Sequence, residues 1–588
     1  MHTPRLSGVV FYAGDEVFHQ DVSSGDVPIL NADISYSAAS DIASNSTFYA
    51  NLPPDPTTRR AAMARPDADL WVKAEYKECD TMFNDKKCLQ TVFRKDIPDE
   101  AVIMPMKWVY KIKKNPDGSI ERYKARLVAK GFRQIPDVHF DAAKTFAPSA
   151  STTSFRLLII YKVMLRLYLF AMDVKSAFLN SVPKYDNYII LPDGLMFNSS
   201  AFALMLKNIY GTRDAARGWY DDQHTFLTNT FPSLIRSKVD PCLYFLFSPT
   251  LIVLIVLTVD DYAVATSSVK WYTEFIKIYA ATYACTDLGK LTLYNGISVD
   301  QLTSSSVFLC QTREVTELLR TCNMADCNPA RTPMEVHFNS PPRTADYVLP
   351  NGILPIEFAS LIGSLLWIAR MTRPDILFAV IFLSSYMKTH TEAHVTAAKR
   401  VLRYLQGTIH FGLLYDSANN TFTEANTFHI RTLSDADWVT RRSTSGAVTY
   451  LFGCYFSCTC RRQDIVALST TEAELIALVE AVKDLKALLN ILNHFILSEN
   501  SPFRIIPTTT VYTDNIAAHF VANNRVHNNR TRHIDMRYMF IRDDIENGII
   551  ATDRVPSADN TSDIFTKALP HVIHILHRAG LGVVLRPR

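Results

Sequence analysis

Residues 251–267, LIVLIVLTVDDYAVATS, leave this chain few ways to fold, because seven apolar residues are followed, after Thr258 and Val259, by two adjacent carboxylates, Asp260 and Asp261. Counted back to Cys242, the apolar stretch is long enough to be tested as a membrane span. Ser248-Pro249-Thr250 interrupts it with turn chemistry. The flanks are rich in Val, Ile, Leu, Phe and Tyr, which suit strands. A buried hairpin, CLYFLF followed by LIVLIVL, fits better. Two buried strands are a rigid platform of the kind a metal-binding carboxylate needs. The acids are expected to follow the second strand, with YAVA resuming it.

With 588 residues and 48% hydrophobic composition the chain can bury several cores, so two or three domains are expected. The formal charge of +3 is nearly balanced, so any nucleic-acid footprint must be local. One cluster stands out: KWVYKIKKNPDGSIERYKARLVAKGFRQ carries Lys107, Lys111, Lys113, Lys114, Arg122, Lys124, Arg126, Lys130 and Arg133. It is either a phosphate-facing surface or a solvated strand face. The ten cysteines follow no regular spacing, and Cys454, Cys458 and Cys460 are not followed by histidines at zinc-finger distance. Free thiols in a reducing compartment are expected. The N-terminus has no apolar core with a cleavage site, which points to cytosol or nucleus and not to secretion.

Residues 1–65, rich in Ser, Asp, Pro and Ala, read as a poorly ordered leader. Residues 66–320 read as mixed α/β. They hold a basic hairpin with a Pro-Asp-Gly turn, a helix predicted over 152–169, a strand into MDVKSAFLN, and the buried hairpin. Residues 321–427 read as a helical connector, with Val395, Ala398, Leu402 and Leu405 at helical spacing. A second α/β pattern covers 428–572, with strands around FHIRTLSDAD, SGAVTYLFGCYFSC and TTTVYTD and a helix from about Glu472 to Leu492. Residues 573–588 read as a tail.

Asp173, in FAMDVKSAF, also follows an apolar strand-like run. Two distant strands each ending in acid suggest a shared Mg²⁺ site. Side chains alternate along a strand, so Asp260 and Asp261 do not easily face one ion. Asp260 is expected as the ligand and Asp261 as electrostatic support. An isolated DD pair is more often a solvated turn, and the surrounding sequence supplies the weight.

That sequence resembles the reverse transcriptase and ribonuclease H region of copia-type long-terminal-repeat retrotransposon polyproteins. The matching words include TFAPSASTTSFRLL, DVKSAFLN, YGTRDAARGWY, DPCLYF, VDDYAVA, GSLLWIARMTRPDI, SDADWVTRRSTSGAV, ALSTTEAELIAL, TDNIAA, TRHIDMRYMFIRD and DIFTKALP, in order over roughly residues 70–570. The resemblance implies a palm-and-fingers polymerase in which Asp173, Asp260 and Asp261 hold two Mg²⁺ ions, with an RNA template, a DNA primer and dNTPs as partners. Phe178 falls where the family carries an aromatic that excludes a ribose 2′-hydroxyl, though a core phenylalanine is an equal reading. Lys124 and Arg126 fall in the finger segment that meets the triphosphate.

In the second α/β unit the resemblance puts Asp435, a glutamate of TTEAEL, Asp514 and Asp563 around two further Mg²⁺ ions, Mn²⁺ being the alternative, that cut RNA in an RNA–DNA hybrid. Glu474 is preferred to Glu472 because Ala477 follows three residues on, as in ribonuclease H helices. Both glutamates also complete capping boxes, with Thr471 and Ser469. His533 is a candidate for orienting substrate.

The chain departs from the family at Thr258, where a tyrosine is usual, at Ala216, where proline is usual, and at Asp214, where glutamine is usual. A carboxylate about 5 Å from a phosphate costs roughly 3 kcal/mol at an effective dielectric of 20. That would slow incorporation by about two orders of magnitude. A second reading is therefore a decayed element product that binds or cleaves hybrid without polymerising. A third, non-enzymatic reading makes the acids solvated turns, and the full set of acids at family positions argues against it. No capsid-type zinc knuckle, protease or integrase motif is present, so a fragment of a longer polyprotein is expected. Its setting would be a cytoplasmic virus-like particle or the nucleus, away from membranes, with oligomeric state left open.

Overall fold

The computed structural model describes residues 54–114, 119–192, 195, 200–336, 338, 355–419, 427–438, 442–496, 500–505, 508–524 and 541–587. Among them the chain divides into two compact units. One holds the residues up to Pro148 together with Val174–Pro232; the other holds Ser149–Asp173 and the chain from Ser233 onward.

The first of these units is built on a five-stranded sheet in the order Leu89–Val92, Phe202–Met205, Tyr188–Ile190, Met104–Lys114, Ile120–Ala129. In Met104–Lys114 the buried residues are Met104, Met106, Trp108, Tyr110 and Ile112, the period of two that a one-sided strand requires. Lys107 and Lys111 therefore point away from the core. The helix Ala68–Asp80 covers the sheet, with Trp71 packed edge-on against Tyr110 and Tyr123. The Pro-Asp-Gly turn lies outside the described residues.

The reading of 1–65 as a disordered leader fails at its end. Thr58 caps the short helix Arg59–Met63, Ala62 is fully buried, and Asp55 accepts the Ile112 amide at 2.8 Å. The polar composition that suggested disorder supplies caps and backbone partners to the sheet.

The other unit is mixed α/β throughout and holds three larger sheets. The first has the order Cys285–Lys290, Tyr168–Val174, Asp261–Thr266, Ile252–Thr258, Leu243–Phe247, Ile235–Arg236. Behind it runs the helix Thr152–Leu165, buried nearly all round as a core helix is. That helix ends earlier than the predicted 169: Arg166 turns left-handed at φ 54°, and the strand begins at Tyr168. The apolar pattern had hidden the break, because Leu167 and Leu169 are buried too.

The second sheet has the order Leu293–Tyr294, Ile297–Thr303, Ser306–Cys310, Phe411–Asp416, Val583–Leu585. It is accompanied by the helices Phe358–Met371, Leu377–Ser384 and Glu392–Gly407. Its edge corrects the reading of 573–588 as a tail. These residues lie largely in the helix His571–Gly580 and a strand pairing antiparallel with Phe411–Asp416. The connector is thus part sheet.

A fully buried ion pair locks this region. Arg373 holds Asp375 through two bonds, Tyr404 donates to Asp375 at 2.6 Å, and His574 meets the Asp375 carbonyl at 3.2 Å. The third sheet has the order Cys454–Arg462, Thr444–Leu451, Ile430–Ala436, Thr509–Thr513, Ile550–Arg554, with the helix Thr470–Ile496 against it.

Among the described residues no helix is long and apolar enough to cross a membrane. All ten cysteines are free thiols.

Candidate active sites

The buried hairpin forms as its sequence predicts, Leu243–Phe247 against Ile252–Thr258. The chain beyond it departs from expectation. YAVA does not resume the second strand: Asp261–Thr266 runs back antiparallel along Ile252–Thr258, with Thr258 opposite Asp261 and only Val259 and Asp260 in the turn. Val259 sits at φ 51°, a left-handed conformation costly for a β-branched residue.

The turn places the two acids differently. Asp261 opens the returning strand directly opposite Asp173, so these two side chains share one face of the sheet. Asp260 occupies the tip of the turn. Alternation sets Asp261 aside only on a continuous strand, and the reversal removes that premise. Burial first, then Asp260 and Asp173, push the Asp261 carboxyl up to about 7. Asp261 is therefore the direct cross-strand neighbour of Asp173.

Thr258, one of the departures from the family, is buried and shares a 2.6 Å hydrogen bond with the Tyr294 hydroxyl. Tyr294 in turn stacks on Phe155 at 4.2 Å. Asp240, in DPCLYF, ties the start of the core helix to the hairpin: it accepts from Ser154 Oγ at 2.6 Å and from the Cys242 amide at 2.9 Å. Neither Tyr294 nor Asp240 carries a sequence signal of its own beyond the matched words.

The candidate nucleotide-binding residues all belong to the other unit. Lys124 and Arg126 lie two apart on Ile120–Ala129, on the same face of that strand. Burial first, then Arg126, Arg122 and Lys113, bring the Lys124 ammonium down to about 8. Arg126 sits over the Tyr210 ring at 5.1 Å, and Phe178 packs edge-on against the same ring at 6.1 Å. Phe178 is buried, so its ring also serves the local core. Asp214 stands at the N-cap of the helix Ala215–Thr230 without capping it; burial raises its carboxyl, and its Oδ1 has no partner among the described residues. Ala216 is in the first turn of that helix.

Lys124 yields a pH prediction. A lysine whose ammonium is already disfavoured loses its charge as pH rises through about 8, in place of the ordinary 10.5. Affinity for a nucleoside triphosphate is therefore expected to fall between pH 7 and 9. The Lys124→Arg protein, charged throughout, should show a flat profile. Titration of dNTP binding against pH checks this, and identical profiles would separate Lys124 from the phosphates.

The second site lies in the third sheet. Asp435 projects from the central strand Ile430–Ala436, Glu474 from the second turn of the helix Thr470–Ile496, and Asp514 follows Thr509–Thr513. One ligand atom from each lies within 4.8 Å of the others. Glu472 turns to the helix end: it accepts the Leu468 amide at 2.7 Å, while Ser469 Oγ accepts the Glu472 amide at 3.1 Å. Glu474, the glutamate preferred from sequence, is the one grouped with Asp435 and Asp514, while Glu472 lies at the helix end. Burial, Asp435 and Asp514 push the Glu474 carboxyl up to about 9.

Asp563, on the short 3-10 turn Thr561–Phe565, is raised to about 7 by burial and by Asp435, and it is paired with Lys567. Thr566 Oγ donates to Asp435 Oδ2. Thr566 and Lys567 were missed in sequence although DIFTKALP contains both. His533 lies outside the described residues.

The donor set is carboxylate oxygen throughout, which suits Mg²⁺ or Mn²⁺. Glu474 Oε2 and Asp563 Oδ1 are buried without a hydrogen-bond partner among the described residues, as ligand atoms for a cation would be.

The family model for reverse transcriptase (RNA-dependent DNA polymerase) matches residues 90–336. The Retrovirus-related Pol polyprotein from transposon RE2 of Arabidopsis thaliana is 30% identical over 83% of this chain and 32% of its own length. That from transposon RE1 of the same plant is 29% identical over the same shares. An uncharacterized mitochondrial protein of Arabidopsis thaliana is 35% identical over 39% of this chain, which covers 92% of it. The chain belongs to the reverse transcriptase family of copia-type retrotransposon Pol polyproteins. It spans about a third of the length of the Pol polyproteins it matches.

Proposed function

We propose that the chain is an RNA-directed DNA polymerase that also degrades the RNA strand of RNA–DNA hybrids. The observation that carries this reading is that one chain holds two separate carboxylate sites on rigid elements. In one, Asp261 faces Asp173 beside the strained turn. In the other, Asp435, Glu474 and Asp514 converge.

Bound divalent ions would activate the primer 3′-hydroxyl and neutralise the triphosphate at the first site, and activate water at the second. Asp173, Asp260 and Asp261 are the residues that would hold them in the polymerase half; Asp435, Glu474, Asp514 and Asp563 would do so in the nuclease half. Arg126, and Lys124 while it is protonated, are the candidates for contacting the phosphates of a dNTP, and Phe178 is the candidate for its sugar. An RNA template, a DNA primer and their hybrid are the macromolecular partners.

The test is a pair of assays on one preparation with Mg²⁺: extension of a DNA primer on RNA, and release of fragments from labelled RNA in a hybrid. Both activities are expected. Hybrid cleavage without extension would favour the decayed-element reading, and loss of both would sink the proposal.

A further inference from the structure

The nuclease reading expects four acids around two cations, yet only three of them converge on one point. Asp563 is not part of the group formed by Asp435, Glu474 and Asp514. Its Oδ2 instead meets Lys567 Nζ at 2.9 Å, and the same ammonium lies 3.7 Å from Asp435 Oδ2. Asp435 thus belongs to both arrangements.

The local backbone builds this contact. The Asp563 carbonyl accepts the amides of Thr566 at 3.2 Å and Lys567 at 3.3 Å, a turn that sets residues four apart on one face. Thr566 then fixes the carboxylate of Asp435 through Oδ2, the oxygen that also faces Lys567. Asp435, Asp563 and Asp514 all favour the charged form of Lys567 against its partial burial.

We propose that Lys567 is the second cation of the resting nuclease site: Asp435, Glu474 and Asp514 take one divalent ion, and the Lys567 ammonium, bridging Asp563 and Asp435, holds the place of another. This rests on the nuclease reading above and deepens it.

Charge decides the occupancy. Four carboxylates with one dication and the ammonium keep a single net negative charge, whereas two dications with the ammonium still in place would leave a net positive one in a largely buried site. A second dication is therefore admitted only when a phosphate enters or the ammonium withdraws. Withdrawal is open to this side chain, which is a long flexible stem with 45% of its surface exposed. Asp563 Oδ1, buried without a partner among the described residues, is the oxygen left for the incoming ion.

The experiment is calorimetric titration with Ca²⁺, without nucleic acid, on the full chain carrying Asp173→Asn, Asp260→Asn and Asp261→Asn, so that the count reports the nuclease site. One ion per chain is expected with Lys567 present, and one with Lys567→Arg. Two are expected with Lys567→Met, and likewise with Lys567→Gln as the second neutral variant. A count that the neutral variants leave unchanged, at one or at two, overturns the role of Lys567 while the cation site stands. Absence of any bound Ca²⁺ in all of these proteins overturns the nuclease reading and the proposal with it.

Discussion

Changing Asp435 to Asn or Glu474 to Gln is expected to lower hybrid cleavage by at least about 1,000-fold and leave primer extension at its original rate. Loss of an outer partner of a metal ligand already costs about 10–100-fold, and these two residues would be the ligands themselves. Each substitution keeps the shape of the side chain and removes its charge. The remaining acids then repel one another with less cation to hold them. Glu472→Gln is the internal comparison, since it stands two residues away on the same helix but spends its carboxylate on the Leu468 amide. Glutamine keeps an oxygen that can accept that amide, so Glu472→Gln should leave cleavage within a few-fold of the original. Rates on a labelled hybrid, with primer extension measured in parallel, decide between the two glutamates. Greater damage from Glu472→Gln would mean that the ligand has been assigned to the wrong one.

Much of this arrangement was legible because strand periodicity is local. Met104–Lys114 announces its buried face by alternation, the hairpin at 243–258 announces burial on both faces by its continuous apolar runs, and Asp173 and Asp260 each come at the end of such a run. The turn at Val259–Asp260 was not legible. Tight hairpins normally advertise themselves with Gly or Asn at positive φ, and here a valine takes that conformation. The two glutamates of the nuclease helix sit in equivalent capping motifs, and beyond the alanine that follows Glu474 it is the packing of that helix against the sheet that sets them apart.

The C-terminal helix misled for the opposite reason. In HVIHILHRAG the buried side chains are His574 and His577, while Val572 and Leu576 are exposed, the inverse of what hydropathy suggests. Its anchor is the polar network of Arg373, Asp375 and Tyr404, whose members are distant in sequence. Lys567 escaped notice because its meaning depends on Asp435, which reaches it only through the fold.

Asp261→Asn is expected to abolish primer extension, by at least about 1,000-fold and as completely as Asp173→Asn, with hybrid cleavage intact. Strand register is the reason. An acid that merely supported a neighbouring ligand would cost about 10–100-fold when neutralised. An acid directly opposite Asp173, on the same face of an antiparallel pair, would share the ion that Asp173 holds. Its carboxyl is pushed up to about 7 by burial and by Asp260 and Asp173, which is the mutual repulsion expected of acids gathered for a dication. Asparagine would relieve that repulsion, so the variant should fold at least as well as the parent while losing synthesis. Thermal unfolding and primer extension on the same samples separate the two effects. A loss confined to about 10–100-fold, with Asp260→Asn far more severe, would return Asp261 to a supporting role and make the tip of the turn the principal ligand.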